Sequence, residues 1–191
     1  MHASDLAGDL ERVLVTEQEL SAKITEVARL IEADYAGKDL LLVGVLKGAV
    51  FVMTELAREL RIPVQLDFMV VSSYGASTES SGVVKTVKDL DADIAGRHVL
   101  IVEDIIDSGL TLSWLLSNLA SRNPESLEVF ALLRKPEVAR VQIDTRYVGF
   151  DIPPEFVVGY GLDYAENYRN LNAVAVLAEH VYKGGTAGAG L

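Results

Sequence analysis

An α/β fold with a central, mainly parallel sheet flanked by helices is predicted by three observations. Short runs of Val, Ile and Leu alternate along the chain with segments of helical apolar periodicity. Several of those runs are apolar throughout, as buried parallel strands are, instead of alternating apolar with polar. They also tend to end in a turn of small or charged residues that opens a helix, the βα rhythm of a parallel sheet. At 191 residues, half of them hydrophobic, the chain suits a single domain spanning 1–191 with a sizeable core.

The elements follow in order. Thr16 and Glu19 have capping-box spacing, Val15 and Leu20 form a candidate hydrophobic staple, and Leu20, Ile24, Val27, Ala28 and Ile31 mark one face of a first helix. Leu40 to Val45 reads as the first core strand, and Lys47-Gly48 turns it into a helix through about Leu60. Val64 to Ser72 is the next strand, with Val83 to Val87 returning antiparallel as a hairpin arm. His98 to Val102 is a buried strand followed by a helix whose apolar residues are Leu110, Leu112, Trp114, Leu115, Leu116 and Leu119. Leu127 to Leu133 is a further parallel strand, while Tyr147 to Phe150, Phe156 to Val158 and Ala173 to Leu177 read as a smaller cap of short strands. The Gly- and Ala-rich residues 184–191 read as a disordered tail.

The most informative stretch is Val99 to Thr111, VLIVEDIIDSGLT. Its turn lies at the carboxyl end of a strand, where open α/β sheets place their ligands. Asp107, Ser108 and Gly109 offer backbone N–H groups at a helix amino end, and with the hydroxyls of Ser108 and Thr111 they suit a phosphate monoester. Glu103 and Asp104 repel phosphate but accept hydrogen bonds from a vicinal diol, so the spacing suggests a ribose held by its hydroxyls with its 5′-phosphate in the turn. The bland alternative is a solvated loop in which Ser108 caps the helix. Lys47, between a strand and a helix amino end, is either an anion ligand or a solvated turn residue. Residues 72–82 are either a functional loop or a simple hairpin tip. Phe156 reads as core or as a stacking face, and Lys135 as a base donor or a solvated loop residue.

The Val99–Thr111 stretch resembles the phosphoribosyl-pyrophosphate (PRPP) signature of type I phosphoribosyltransferases. From about Leu40 to Leu177 the chain is similar to the hypoxanthine-guanine phosphoribosyltransferases, the similarity including Tyr164 through Arg169 and Asn172. That resemblance implies a type I phosphoribosyltransferase fold with a small hood and a mobile β-hairpin lid bearing Ser73 and Tyr74. It implies transfer of the phosphoribosyl group of PRPP to hypoxanthine and guanine, with Asp107 as the proton-transfer residue at N7 of the base. The loop from Glu103 through Asp107, Ser108, Gly109, Leu110 and Thr111 would hold PRPP, and Lys47, Gly48 and Arg169 would meet pyrophosphate. Lys135, Phe156, Val157 and Asp163 would form the purine site, and Glu103, Asp104 and Asp163 would hold Mg2+. By the same likeness the Leu46-Lys47 peptide is cis, and the protein is a homodimer or homotetramer. One departure is Leu110, where some relatives carry a basic residue, so that side-chain contact to phosphate is absent.

Composition excludes other classes. A formal charge of −11 opposes a nucleic-acid or anionic-membrane surface, which needs clustered Lys and Arg. With no Cys there is no disulfide framework, thiolate nucleophile or Cys-based zinc site, and His2, His98 and His180 are too scattered for a metal cluster. The Met1–Asp5 start lacks a basic, apolar leader, and a cytoplasmic location is expected. Neither a Gly-x-Gly-x-x-Gly helix opening nor a Gly-Lys-Ser/Thr phosphate loop occurs, against a dinucleotide or nucleoside-triphosphate binder. A regulatory PRPP sensor of the same fold would need a nucleic-acid surface that this acidic chain lacks.

Overall fold

In the computed structural model, which describes residues 1–6, 8–73 and 84–183, the elements run β1 (Leu10–Val15), α1 (Glu17–Tyr35), β2 (Leu40–Leu46), α2 (Val50–Glu59), β3 (Gln65–Ser73), β4 (Val84–Lys88), β5 (His98–Ile106), α3 (Leu110–Ala120), β6 (Ser126–Arg134), β7 (Tyr147–Asp151), β8 (Val157–Val158), β9 (Val174–Leu177) and α4 (Glu179–Lys183). Two compact units divide the chain: Lys23–Pro154, and Met1–Ala22 with Glu155–Leu191.

The Lys23–Pro154 unit holds a six-stranded sheet of order β4-β3-β2-β5-β6-β7. Every neighbouring pair is parallel except β3 with β4, the predicted antiparallel arm. Both faces of β2 and β5 are covered, which explains their unbroken apolar runs. Leu112, Leu115 and Leu119 of α3 pack with Leu41, Val43, Val99 and Ile101 on one face, with Trp114 and Leu116 partly buried beside them. α2 buries Val52, Met53 and Leu56. Gly44 makes room there, since a Cβ would come 3.0 Å from the Phe68 ring and 3.4 Å from Met53.

Parallel pairing brings the carboxyl ends of β2, β3, β5, β6 and β7 to one edge of the sheet. The strand order reverses direction between β2 and β5, because β3 lies on one side of β2 and β5 on the other. Such a switch point is where ligands bind in open α/β sheets.

Three elements differ from the expectation. β5 continues four residues past Val102 to Ile106, because Glu103 and Ile105 keep pairing with Ala131 and Leu133 of β6. Tyr147 to Phe150 does not join the cap. It is the edge strand of the main sheet, parallel to β6, and Gly149 permits the approach because a Cβ would overlap the Leu132 carbonyl. β1 was not expected, and its exposed Glu11, Arg12 and Val13 hide the usual strand pattern.

In the other unit β1, β9 and β8 form an antiparallel sheet in that order. Leu171, Ala173 and Ala175 form its small core, with Ala3, Leu6 and Leu10 against them. The capping box is present: Glu19 Oε2 accepts from the Thr16 N–H at 2.8 Å, and Thr16 Oγ1 accepts from the Glu19 N–H at 3.3 Å. Val15 and the five apolar residues assigned to the face of α1 are buried. Among the described residues no helix is long and apolar enough to cross a membrane.

Candidate active site

β5 carries the two adjacent carboxylates, and because strand side chains alternate they point to opposite faces of the sheet. Glu103 is on the α3 side, where it lines a cavity of about 130 Å³ with Asp107, Ser108, Gly109 and Thr111. Asp104 is on the other side, over Gly48, where an added Cβ would overlap its carboxylate. The two carboxylates therefore lie on opposite faces of β5. Burial, reinforced by the charge of Asp104, holds the Glu103 carboxyl well above the usual carboxylate range.

The turn after β5 is shaped by a glycine and by backbone hydrogen bonds. Gly109 adopts φ 79°, which favours glycine, and a Cβ there would sit 2.8 Å from the Val141 carbonyl. The Ser108 carbonyl is taken up by the N–H groups of Arg140 and Val141 at 3.0 and 3.2 Å. The eleven-residue helix α3 then opens at Leu110, aiming its amino end at the turn.

Neighbouring strand ends add cations. The Leu46-Lys47 peptide is cis, as the family likeness implied, and Lys47-Gly48 leads into α2. Beyond β6, the Lys135 N–H donates to the Ile106 carbonyl at 2.9 Å, and its Nζ lies 3.5 Å from Asp107 Oδ2. Lys135 is only 8% exposed, which rules out the solvated-loop reading. Arg134 just before it holds Asp151 by two bonds of 2.7 and 3.0 Å, clamping the ends of β6 and β7 together. Lys47, Gly48, Glu103, Asp104, Asp107, Ser108, Gly109, Leu110, Thr111 and Lys135 thus gather at one sheet edge. A larger cavity of about 570 Å³, lined by Ile106, Arg134 and residues of the 136–145 loop, contains none of the predicted site residues. Of the expected lid, Ser73 ends β3 opposite Val84, and Tyr74 with the rest of the loop lies outside the described residues, as does the expected 184–191 tail.

In the second unit Phe156 is 40% exposed and so is not a core residue. Its ring meets that of Tyr164 edge-on at 5.8 Å and stacks on that of Tyr182 at 5.1 Å. Val157 is buried in β8, paired with Val176. Asp163 bonds Arg169 Nη2 at 2.8 Å and accepts the Glu166 N–H at 2.9 Å, while Arg169 Nη1 donates to the Gly161 carbonyl at 2.7 Å. Ala165, Glu166 and Tyr168 all take positive φ in this loop, a concentration of strained non-glycine backbone typical of binding segments.

Among the described residues no three His, Cys, Asp or Glu side chains converge on a metal site. Isolated carboxylates suit Mg2+, which keeps its waters and binds through one or two carboxylates plus substrate phosphates. Sequence reasoning missed the Gly48–Asp104 contact and the Tyr182 ring. A period-2 reading carried through Asp104 would have placed the carboxylates on opposite faces, whereas the five-residue α4 leaves no periodic signal for Tyr182.

Comparison with known proteins agrees with this arrangement. The phosphoribosyl transferase domain model matches residues 14–165. The chain is 56% identical over 182 residues to a hypoxanthine-guanine phosphoribosyltransferase of Mycobacterium bovis, covering 92% of this chain and 90% of that one. It is 51% identical over 177 residues to the protein of that name from Streptococcus agalactiae, covering 93% and 98%. Among solved structures, a hypoxanthine phosphoribosyltransferase of Staphylococcus aureus superposes with a TM-score of 0.91 at 44% identity, covering 94% of this chain and 98% of that one. With its signature loop at the switch point of a mainly parallel sheet, the chain belongs to the phosphoribosyltransferase family.

Proposed function

We propose that the protein transfers the 5-phosphoribosyl group of PRPP to N9 of hypoxanthine and guanine, releasing pyrophosphate and forming IMP and GMP in purine salvage. The observation that carries this reading is the meeting of Lys135 and Asp107 beside the phosphate turn, a donor and an acceptor set next to a ribose-phosphate cradle. As the C1′–oxygen bond to pyrophosphate breaks and the N9–C1′ bond forms, Asp107 takes the proton from N7 of the purine. Lys135 donates to O6 of the base, and Phe156 stacks on its ring. Val157 and Asp163 offer backbone groups to the ring edge. The turn from Asp107 to Thr111 holds the 5′-phosphate, Glu103 and Asp104 accept from the ribose hydroxyls, and Lys47, Gly48 and Arg169 receive pyrophosphate.

Glu103 and Asp104 would hold Mg2+ beside the ribose hydroxyls, and Asp163 would help to hold a second magnesium ion. Magnesium held there would supply positive charge to neutralise the departing pyrophosphate. The enzyme acts in the cytoplasm as a homodimer or homotetramer. The test is mass detection of nucleotide from PRPP, Mg2+ and a panel of hypoxanthine, guanine, xanthine and adenine, with and without a chelator. IMP and GMP formation that the chelator abolishes is the expected result, and no nucleotide from any base would overturn the reading.

A further inference from the structure

We propose that Tyr182 of the C-terminal helix is a positioning residue for the purine, backing the ring of Phe156 so that the opposite ring face is held ready for the base. The inference rests on the assignment of Phe156 to the purine. The register of β8 on β9 places Phe156 opposite Leu177, whose N–H donates to the Phe156 carbonyl at 3.0 Å. α4 begins two residues later, and the Ala178 N–H donates to the Asp9 carbonyl at 2.8 Å, which fixes the direction in which the helix leaves the sheet. That geometry carries Tyr182 back over Phe156, with ring centroids 5.1 Å apart and planes 25° from parallel. Tyr164 meets the same ring edge-on, at an interplanar angle of 88°.

Phe156 is nevertheless 40% exposed. The residue keeps this exposure although one ring face is stacked on Tyr182, and that open surface is the one assigned to the planar base. A phenylalanine just ahead of a two-residue strand has several rotamers open to it, and the two tyrosines limit them. Tyr182 touches neither substrate in this arrangement and acts through Phe156.

The experiment measures kcat and the KM of each substrate for the full-length chain and for Tyr182→Ala, Tyr182→Phe, Phe156→Leu and the Tyr182→Ala/Phe156→Leu pair. Tyr182→Ala should raise the KM for hypoxanthine about three- to ten-fold, the range of an aromatic pair, and leave kcat and the KM for PRPP unchanged. Tyr182→Phe should restore the wild-type value, and Tyr182→Ala should add nothing once Phe156 is Leu. Should Tyr182→Ala lower the melting temperature, Tyr182→Leu, which keeps apolar bulk without a ring, takes its place and should show the same selective rise.

A raised purine KM in Phe156→Leu with no change in Tyr182→Ala would overturn this inference alone. A lower purine KM in Tyr182→Ala would overturn it too, making the ring an obstruction. Equal losses for both substrates would reduce Tyr182 to a structural residue. No effect of Phe156→Leu would remove the stacking assignment, and this inference with it.

Discussion

Lys135 Nζ and Asp107 Oδ2 lie 3.5 Å apart across 28 residues of sequence, brought together because β5 and β6 are parallel and end side by side. N7 and O6 of a 6-oxopurine are neighbours on one ring edge, so a proton acceptor and an ammonium at this spacing match them. Asp107→Asn keeps the size of the side chain and the backbone of the phosphate turn. Turnover should fall by roughly 10² or more while PRPP affinity stays within a few-fold. Calorimetric titration with magnesium-PRPP alongside steady-state rates checks this, and near-normal turnover would make Asp107 a structural part of the turn.

On the proposed assignment of Lys135 to O6 of the purine, base choice follows from its buried ammonium. It has no lone pair for the 6-amino group of adenine, so adenine should be turned over at least about 10³-fold less efficiently than hypoxanthine. Competition between the two bases for limiting PRPP measures the ratio. Lys135→Ala should shrink it by weakening hypoxanthine, not by improving adenine.

Gly48 and Asp104 share one small volume. Gly48→Ala should cost about 1–3 kcal/mol of stability by overpacking, and Asp104→Ala in the same chain should recover most of it. Activity should stay low in the double variant because the carboxylate is gone. Melting temperatures that do not respond to the second change would place the strain elsewhere.

Asp67 sets an acid limit on the fold. Burial pushes its carboxyl up, but the N–H groups of Ala92, Phe68 and Asp91, with Lys88 beside them, more than offset this and hold it below the usual range. Because the folded value is lowered, its stabilisation is present above the unfolded value of about 3.9 and is lost as pH falls through the folded one. Asp67→Asn should therefore be less stable than wild type near neutrality, by about 1–3 kcal/mol, with the gap closing below pH ~4. Melting curves from pH 7 to 2 test it, and a constant gap would exclude the titration.

Much of this was legible in the chain because buried parallel strands announce themselves. Leu40–Leu46 and Ser126–Arg134 lie within a residue or two of where apolar runs placed them. Polar residues inside a strand are less legible: Glu103 and Asp104 read as the point where the strand ends, although backbone pairing with β6 carries the strand on through them to Ile106. Tyr147 to Phe150 was recognisable as a strand but not as a neighbour of β6, since four residues do not say which edge they join. The Lys135–Asp107 contact depends on strand order, which no local pattern encodes.

The one-sided sheet edge also leaves its opposite rim free for chemistry of the experimenter's choosing. The turn before β5 contains the exposed Ala95, and the chain has no cysteine anywhere. A thiol placed by Ala95→Cys would be unique, and the length of β5 would separate it from Asp107 by roughly 30 Å. A fluorophore or surface tether attached there would report on the protein or immobilise it with the substrate-facing rim still open to solution.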